Sequence, residues 1–365
     1  MSALRILEII TPSKVGGAEI FVMNLCKYMP SFGHDVRIFC PEGRPFINYA
    51  AKRGLKCISW RTCGKADPVT VLRLIGLIKR EQIQVVHTHL STASLLGAFA
   101  ARATGIPAVA HVHGLNTATC FRYSSTVVAV SEAVKRHLCN QGLSERKIRV
   151  VHNGVDLDRF HPAPLTDAKL ALGFDPTIPL IGIFGRLSTE KGQRVALEAM
   201  FILLREHPRA RLILVGDGPD IEELQECIDA LGIRSAVEFA GFALDIRPIL
   251  FACDVVLVPS LKEGFGLAAV EAMAAGKPVV ASSVGGLTEI VEQNETGFLV
   301  EPNNPGALAE AAGTLIANPE LAQRMGLSGR KRAEQFFNFR KQAAKVLAVL
   351  SEVAQCRLFD PHCLD

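Results

Sequence analysis

Short apolar runs rich in β-branched residues alternate with longer helical patterns along this chain, and they do so twice over. In the first series the runs fall near residues 4–10, 35–39, 84–87, 108–111, 126–130 and 148–151, with helical patterns near 18–28, 69–79, 94–103 and 132–140. The runs are apolar throughout rather than at every second residue, as in strands buried on both faces. A helical stretch between consecutive strands predicts parallel pairing. A segment rich in Pro and Asp, residues 156–179, interrupts the series, which restarts with runs near 180–184, 211–215, 237–239, 255–258, 278–281 and 297–300. At 365 residues the chain exceeds what one core usually serves. The expectation is an α/β chain of two doubly wound parallel-sheet domains, 1–160 and 179–337, joined by a linker, 161–178. A C-terminal helix and tail, 338–365, should pack back toward the first domain. Ligands of such sheets bind outside the carboxyl ends of the strands, which puts the expected site in a cleft between the domains. The helical pattern ends near residue 355, and the tail 356–365 suggests no role.

Charge divides the chain unevenly. Residues 1–165 carry 21 Lys and Arg against 10 Asp and Glu, a formal +11, whereas residues 166–365 carry −7. A basic first half implies an anionic partner: a phosphorylated acceptor, an anionic membrane surface or nucleic acid. Three Tyr, one Trp and no aromatic run among the basic residues argue against nucleic acid. Ten cysteines without Cys-x-x-Cys spacing, several inside apolar runs (Cys26, Cys40, Cys227, Cys253), read as reduced thiols of a cytoplasmic protein. The first ten residues fit a strand better than a signal peptide, and no apolar stretch approaches the ~20 residues that span a bilayer. Any membrane contact is then peripheral.

The most informative motif runs from Glu263 to Glu271 (Glu-Gly-Phe-Gly-Leu-Ala-Ala-Val-Glu) after the apolar run 255–258. It reads as a strand ending in a glycine loop that opens a helix near Leu267. Glu263 then lies in the loop and Glu271 about one turn inside the helix. Between them, Gly264, Phe265, Gly266 and the unpaired amides of the first turn make an anion site. Arg186 and Lys191, in the loop after the run 180–184, could neutralise a diphosphate leaving group. Taken singly, each of these charges would more simply be a solvated loop residue. Gly216-Asp217-Gly218-Pro219 closes another strand. The loop with Gly16 and Gly17 opens a helix but lacks Gly-x-Gly-x-x-Gly, which argues against a nicotinamide dehydrogenase.

Two His-x-His pairs, His87/His89 and His111/His113, end two expected strands, where alternate residues face one side. They admit three readings: a metal site, structural histidines, or side chains lining the cleft. Against metal, no carboxylate stands near either pair in sequence at ligand spacing; the nearest, Glu81 and Glu132, belong to helical patterns. Asp156-Leu157-Asp158 could hold a divalent ion, but its place after Asn153-Gly154 suits a turn better.

Together these segments resemble the retaining glycosyltransferases of family 4, which have the GT-B fold of two Rossmann-like domains facing across a cleft. The matching pieces are Gly16-Gly17-Ala18-Glu19, Val127 to Glu132, Asn153 to Asp156, Gly185-Arg186 with Lys191-Gly192, Gly216-Asp217-Gly218, and Glu263 to Glu271, in the family's order. The resemblance implies a nucleotide-sugar donor, UDP- or GDP-linked, whose diphosphate is held by Arg186, Lys191 and the amides of Gly266 and Leu267. It implies that Glu271 bonds the ribose hydroxyls, that Glu263 reaches the transferred sugar, and that base contacts lie around Gly241 and Phe242. His113, followed by Gly114, matches the histidine expected near the reacting carbon. The Gly16-Gly17 loop would face donor phosphate and acceptor.

The implied reaction moves a hexose-type sugar to a saccharide or glycolipid, with retention and without a metal or other cofactor, in envelope polysaccharide or lipopolysaccharide assembly. It would proceed in the cytoplasm or at the inner face of the plasma membrane. A phosphorylase, which in this fold uses pyridoxal phosphate, a nucleotide-sugar epimerase and a non-catalytic scaffold are the alternatives.

Overall fold

The computed structural model describes residues 3–64 and 67–359, with side chains through Cys356. Lys65 and residues 360–365 of the tail lie outside the described residues. The chain forms two compact units, one of residues up to Gly154 together with those from Phe339 onward, the other Val155–Asn338.

The first unit holds seven parallel strands: Arg5–Ile10 (β1), Asp35–Phe39 (β2), Cys57–Ile58 (β3), Val85–His89 (β4), Ala108–Val112 (β5), Thr126–Ala129 (β6) and Ile148–Val150 (β7). Their order is β3-β2-β1-β4-β5-β6-β7, so the direction of winding reverses between β1 and β4. The period of two along β1 sets the layers. Ile6 and Ile10 pack with Phe21, Val22 and Leu25 of the helix Gly17–Tyr28 and with Phe339, Ala343 and Val346 of the helix Phe339–Phe359. Leu7 and Ile9 face Leu74, Leu77 and Leu96 of the helices Pro68–Arg80 and Ser91–Thr104 on the other side. Each such fully buried apolar side chain stabilises the unit by ~1.5–3 kcal/mol. The helix Pro68–Arg80 starts where it does because Asp67 accepts the amides of Val69 and Thr70 ahead of Pro68, and it ends on Lys79 and Arg80, which suit the negative end of its dipole.

The second unit holds Leu180–Phe184 (β8), Arg211–Val215 (β9), Val237–Gly241 (β10), Val255–Val258 (β11), Val279–Ser282 (β12) and Gly297–Val300 (β13). The order β10-β9-β8-β11-β12-β13, all parallel, again reverses beside its first strand, here between β8 and β11. Both sheets are thus Rossmann-like, with a switch point at the carboxyl ends of two central strands.

Segment 161–178 corrects the linker expectation, because it belongs to the second unit. Its helix Leu165–Ala171 carries Lys169, fully buried, whose Nζ donates to the carbonyls of Pro176 (3.1 Å) and Ile178 (2.8 Å) and pairs with Asp254 (2.6 Å). Asp254 also accepts the Leu180 amide at the start of β8 (2.6 Å), so the segment is pinned to the sheet. The final helix runs to Phe359, four residues beyond the sequence expectation.

Candidate active site

The second unit brings the cationic loop and the glutamate segment together because they follow the two strands flanking its switch point. Arg186 and Lys191 follow β8; Ser260 and Glu263 follow β11. Lys191 Nζ lies 2.6 Å from Glu263 Oε2, and Ser260 Oγ donates to the same oxygen at 3.1 Å. The loops are also joined through the backbone, with the amides of Leu261 and Lys262 donating to the Glu190 carbonyl at 2.8 and 3.1 Å. Gly192, at φ 67°, allows this approach: a Cβ there would stand 2.0 Å from the Pro259 carbonyl oxygen. Arg186 is exposed and makes no ion pair among the described residues, while buried Gln193 donates to its carbonyl at 2.8 Å and fixes the start of the loop. Gln193, Ser260 and Glu190 carried no sequence signal, since each acts through a contact across strands.

The helix Leu267–Ala274 opens from Gly266 at φ 110°, where a Cβ would meet Leu287 at 2.6 Å. By position the amides of Leu267 and Ala268 have no intrahelical acceptor, whereas that of Ala269 donates to the Gly266 carbonyl at 3.0 Å. Gly264 and Phe265 are buried and held by the segment of Gly285 and Gly286, whose amide donates to the Glu263 carbonyl at 3.2 Å. Glu271 accepts no hydrogen bond through its side chain among the described residues, and burial, opposed by Arg159, pushes its pKa up to about 8. An acid of that kind, open on one side and without a partner, suits hydroxyl donors of a ligand. Gly241 ends β10 at φ 71° and accepts from the Gly216 amide at 2.9 Å; Phe242, beside it, is 55% exposed. Asp156 caps the amides of Asp158 (3.1 Å) and Arg159 (3.3 Å), which makes the Asp-x-Asp pair a turn element.

In the first unit, Gly16 caps the helix Gly17–Tyr28, and its amide donates to Glu19 Oε2 at 2.9 Å. Gly17, the first residue of that helix, is exposed. The histidines are not where the cleft-lining reading expects them: His87, His89 and His111 are buried in the sheet face, and only His113 is partly open. A carboxylate distant in sequence nevertheless stands beside them. Glu8 pairs in register with His87 and accepts from His87 Nδ1 at 2.8 Å and His89 Nε2 at 2.7 Å. The sequence hid Glu8 inside an apolar run, and its partners lie 79 and 81 residues away. Leu90, directly after His89, holds φ 73°, a strained value for a branched side chain beside this cluster.

Two Rossmann-like sheets in one chain, with paired cationic and acidic loops and an amide-rich helix start at a switch point, define the GT-B class of glycosyltransferases. Residues 15–159 match the family Glycosyltransferase Family 4, and residues 167–332 match Glycosyl transferases group 1. The alpha-maltose-1-phosphate synthase of Mycolicibacterium smegmatis is 30% identical over 313 residues, 75% of this chain and 80% of that protein. An Escherichia coli UDP-Gal:alpha-D-GlcNAc-diphosphoundecaprenol alpha-1,3-galactosyltransferase is 26% identical over 94% of this chain and 96% of its own. Anabaena HepE, solved with UDP, superposes with a TM-score of 0.86 at 26% identity, covering 96% of this chain and all of that one. The chain belongs to the family 4, group 1 glycosyltransferases and is a glycosyltransferase of that type.

Proposed function

We propose that the chain transfers a hexose-type sugar from a UDP- or GDP-linked donor to a saccharide or glycolipid acceptor, with retention at the anomeric carbon and without a metal ion. The observation that carries this reading is the meeting of Lys191 and Glu263 across the ends of β8 and β11, with Arg186 exposed in the same loop as Lys191 and the helix Leu267–Ala274 starting after the β11 loop. Two side-chain cations and a helix N-terminus supply the positive charge that a departing diphosphate needs. The Gly266 and Leu267 amides would meet the phosphates, Glu271 the ribose hydroxyls and Phe242 the base. Glu263 would reach the sugar, and His113 would contact it near the reacting carbon.

Glu263 is held by Lys191 and Ser260, and Glu271 favours its protonated form, so neither is set as a nucleophile. The reaction is therefore a same-face displacement. The bond from the anomeric carbon to the phosphate oxygen breaks, the acceptor oxygen bonds that carbon on the same face, and the acceptor proton passes to the departing phosphate oxygen.

A glycolipid acceptor is supported by the Escherichia coli relative, whose acceptor is diphosphoundecaprenol-linked. No described helix is long and apolar enough to cross a membrane. Contact with the inner face of the plasma membrane, in envelope polysaccharide assembly, would be peripheral. Calorimetry against a panel of nucleoside diphosphates tests the reading. A transferase binds one base preferentially, whereas a scaffold binds none. Magnetic resonance of the product then reads the anomeric configuration, and an inverted product refutes the mechanism.

A further inference from the structure

Glu8, His87, His89, His111 and His113 share one face of the first sheet because β1, β4 and β5 run parallel in register, Glu8 beside His87 and His89 beside His111. Phe21 covers them, its ring 4.7 Å from that of His111 and 5.3 Å from that of His113. Glu8 is fully buried, and although burial opposes ionisation, His87 and His89 hold its pKa down at about 2. It is therefore a carboxylate and can only accept. His89 is kept neutral, burial and His87 drawing its pKa down to about 4 against the pull of Glu8. Its single proton must sit on Nε2, which meets Glu8 at 2.7 Å, and this leaves Nδ1 as a lone pair. His113 Nε2 lies 2.9 Å from that lone pair and must carry the hydrogen. Burial, with His89 and His87, holds the pKa of His113 well below its ordinary value, so His113 has only that one proton. Its Nδ1 is then a bare acceptor, and it is indeed a buried atom without a partner.

We infer that Glu8 and His89 are positioning residues that lock His113 as the Nε2–H tautomer, presenting Nδ1 to accept a hydrogen bond from a hydroxyl of the transferred sugar. The sugar contact rests on the function proposed above; the tautomer does not. A metal bound among these rings fits less well. The facing nitrogens of His89 and His113 stand 2.9 Å apart, closer than the roughly 3.4 Å between two ligands of a tetrahedral zinc. His87, His89 and His111 do bring nitrogens within 4.8 Å of one another, so a metal is the competing reading that the test includes.

The test is nitrogen-15 magnetic resonance of the full chain labelled at histidine, with His113 assigned by its loss in His113→Gln. The expected spectrum shows His113 protonated at Nε2 near neutral pH. In Glu8→Gln and His89→Phe the tautomer should become mixed or shift to Nδ1–H. A wild-type His113 protonated at Nδ1 or at both nitrogens overturns the proposal, and so does an unchanged tautomer in both variants. The wild-type spectrum is decisive even if the variants fail to fold. Stoichiometric zinc in the purified chain, lost in His87→Gln, also overturns it. Loss of one hydrogen bond to the sugar should lower kcat of Glu8→Gln on the order of tenfold with donor KM nearly constant. If the tautomer is as expected but His113→Gln turns over like wild type, the sugar contact fails and the tautomer assignment stands.

Discussion

Lys191 Nζ and Glu263 Oε2 stand 2.6 Å apart across the two loops that follow β8 and β11, with the lysine side chain 33% exposed and the glutamate 11%. The glutamate is the anchored partner, since Ser260 also holds it. The lysine is the mobile one, able to turn from a carboxylate to a phosphate. Lys191→Ala should weaken UDP or GDP binding roughly 10- to 100-fold, the usual worth of a charge-assisted hydrogen bond. Glu263→Gln should leave diphosphate affinity within about threefold while turnover falls on the order of 100-fold. Calorimetry and turnover separate the two roles. Equal losses of affinity in both variants would mean the pair is only structural.

Arg186 has no ion-pair partner to lose among the described residues, so its removal reports ligand chemistry rather than folding. Arg186→Ala should retain the wild-type melting temperature and lose on the order of 100-fold or more in turnover. Wild-type turnover in that variant would refute the leaving-group assignment.

Glu271 predicts an unusual pH slope. Its ordinary pKa of 4.5 rises to about 8 in the fold. Below 4.5 both folded and unfolded chains are protonated there. Between 4.5 and 8 the unfolded chain ionises while the folded one keeps its proton, so folded stability falls as pH rises and levels off above 8. The loss should be on the order of 1–3 kcal/mol, less than the full shift because Arg159 and partial exposure relieve it. Denaturant unfolding at pH 5, 7 and 9 should show that slope in wild type and not in Glu271→Gln. If ribose hydroxyls are its ligands, nucleotide binding favours the ionised form, and calorimetry in buffers of different ionisation heat should detect proton release at pH 7.

How far the sequence spoke depended on whether a residue's partners are local. Strands such as Leu180–Phe184 and Val255–Val258 announce themselves, because burial on both faces demands an unbroken apolar run. The two-residue strand Cys57–Ile58 and the seven-residue helix Pro45–Ala51 are too short for either period to show. Arg186, Lys191, Glu263 and Glu271 were visible as motif residues, but the Lys191–Glu263 contact joins positions 72 apart. Glu8 sits in the sequence as one more member of an apolar strand, and only the register of β1 with β4 makes it the hub of the histidines. Lys169 was lost in a Pro-rich stretch for the same reason, its partners being the carbonyls that follow it and Asp254.

Lys169 is nevertheless a stability determinant of the second unit. It is 1% exposed, and its removal leaves Asp254 beside β8 without its counter-charge and two carbonyls without a donor. Lys169→Ala should destabilise the unit by about 3–5 kcal/mol, the usual cost of breaking a buried pair. Arg186→Ala, by contrast, should unfold at the wild-type denaturant concentration. Urea unfolding of the two variants distinguishes a structural charge from a catalytic one.

The first unit's excess of positive charge gives the last prediction. Lys52, Lys56, Arg61, Arg73 and Lys79 are exposed, and the helix Pro68–Arg80 also exposes Val69 (56%) and Leu72 (67%). Leu72 and Arg73 stand three and four residues after Val69, which puts an apolar side chain and a cation beside Val69 on the helix surface. Basic residues near an anionic leaflet contribute ~1 kcal/mol each, and two apolar side chains add insertion. Sedimentation with vesicles should therefore rise with the fraction of anionic lipid and fall with salt, and Leu72→Ser with Arg73→Glu should lower it about tenfold or more. Turnover on a short soluble acceptor should stay unchanged in that variant. Binding that ignores lipid charge and salt would mean this face is simply solvated.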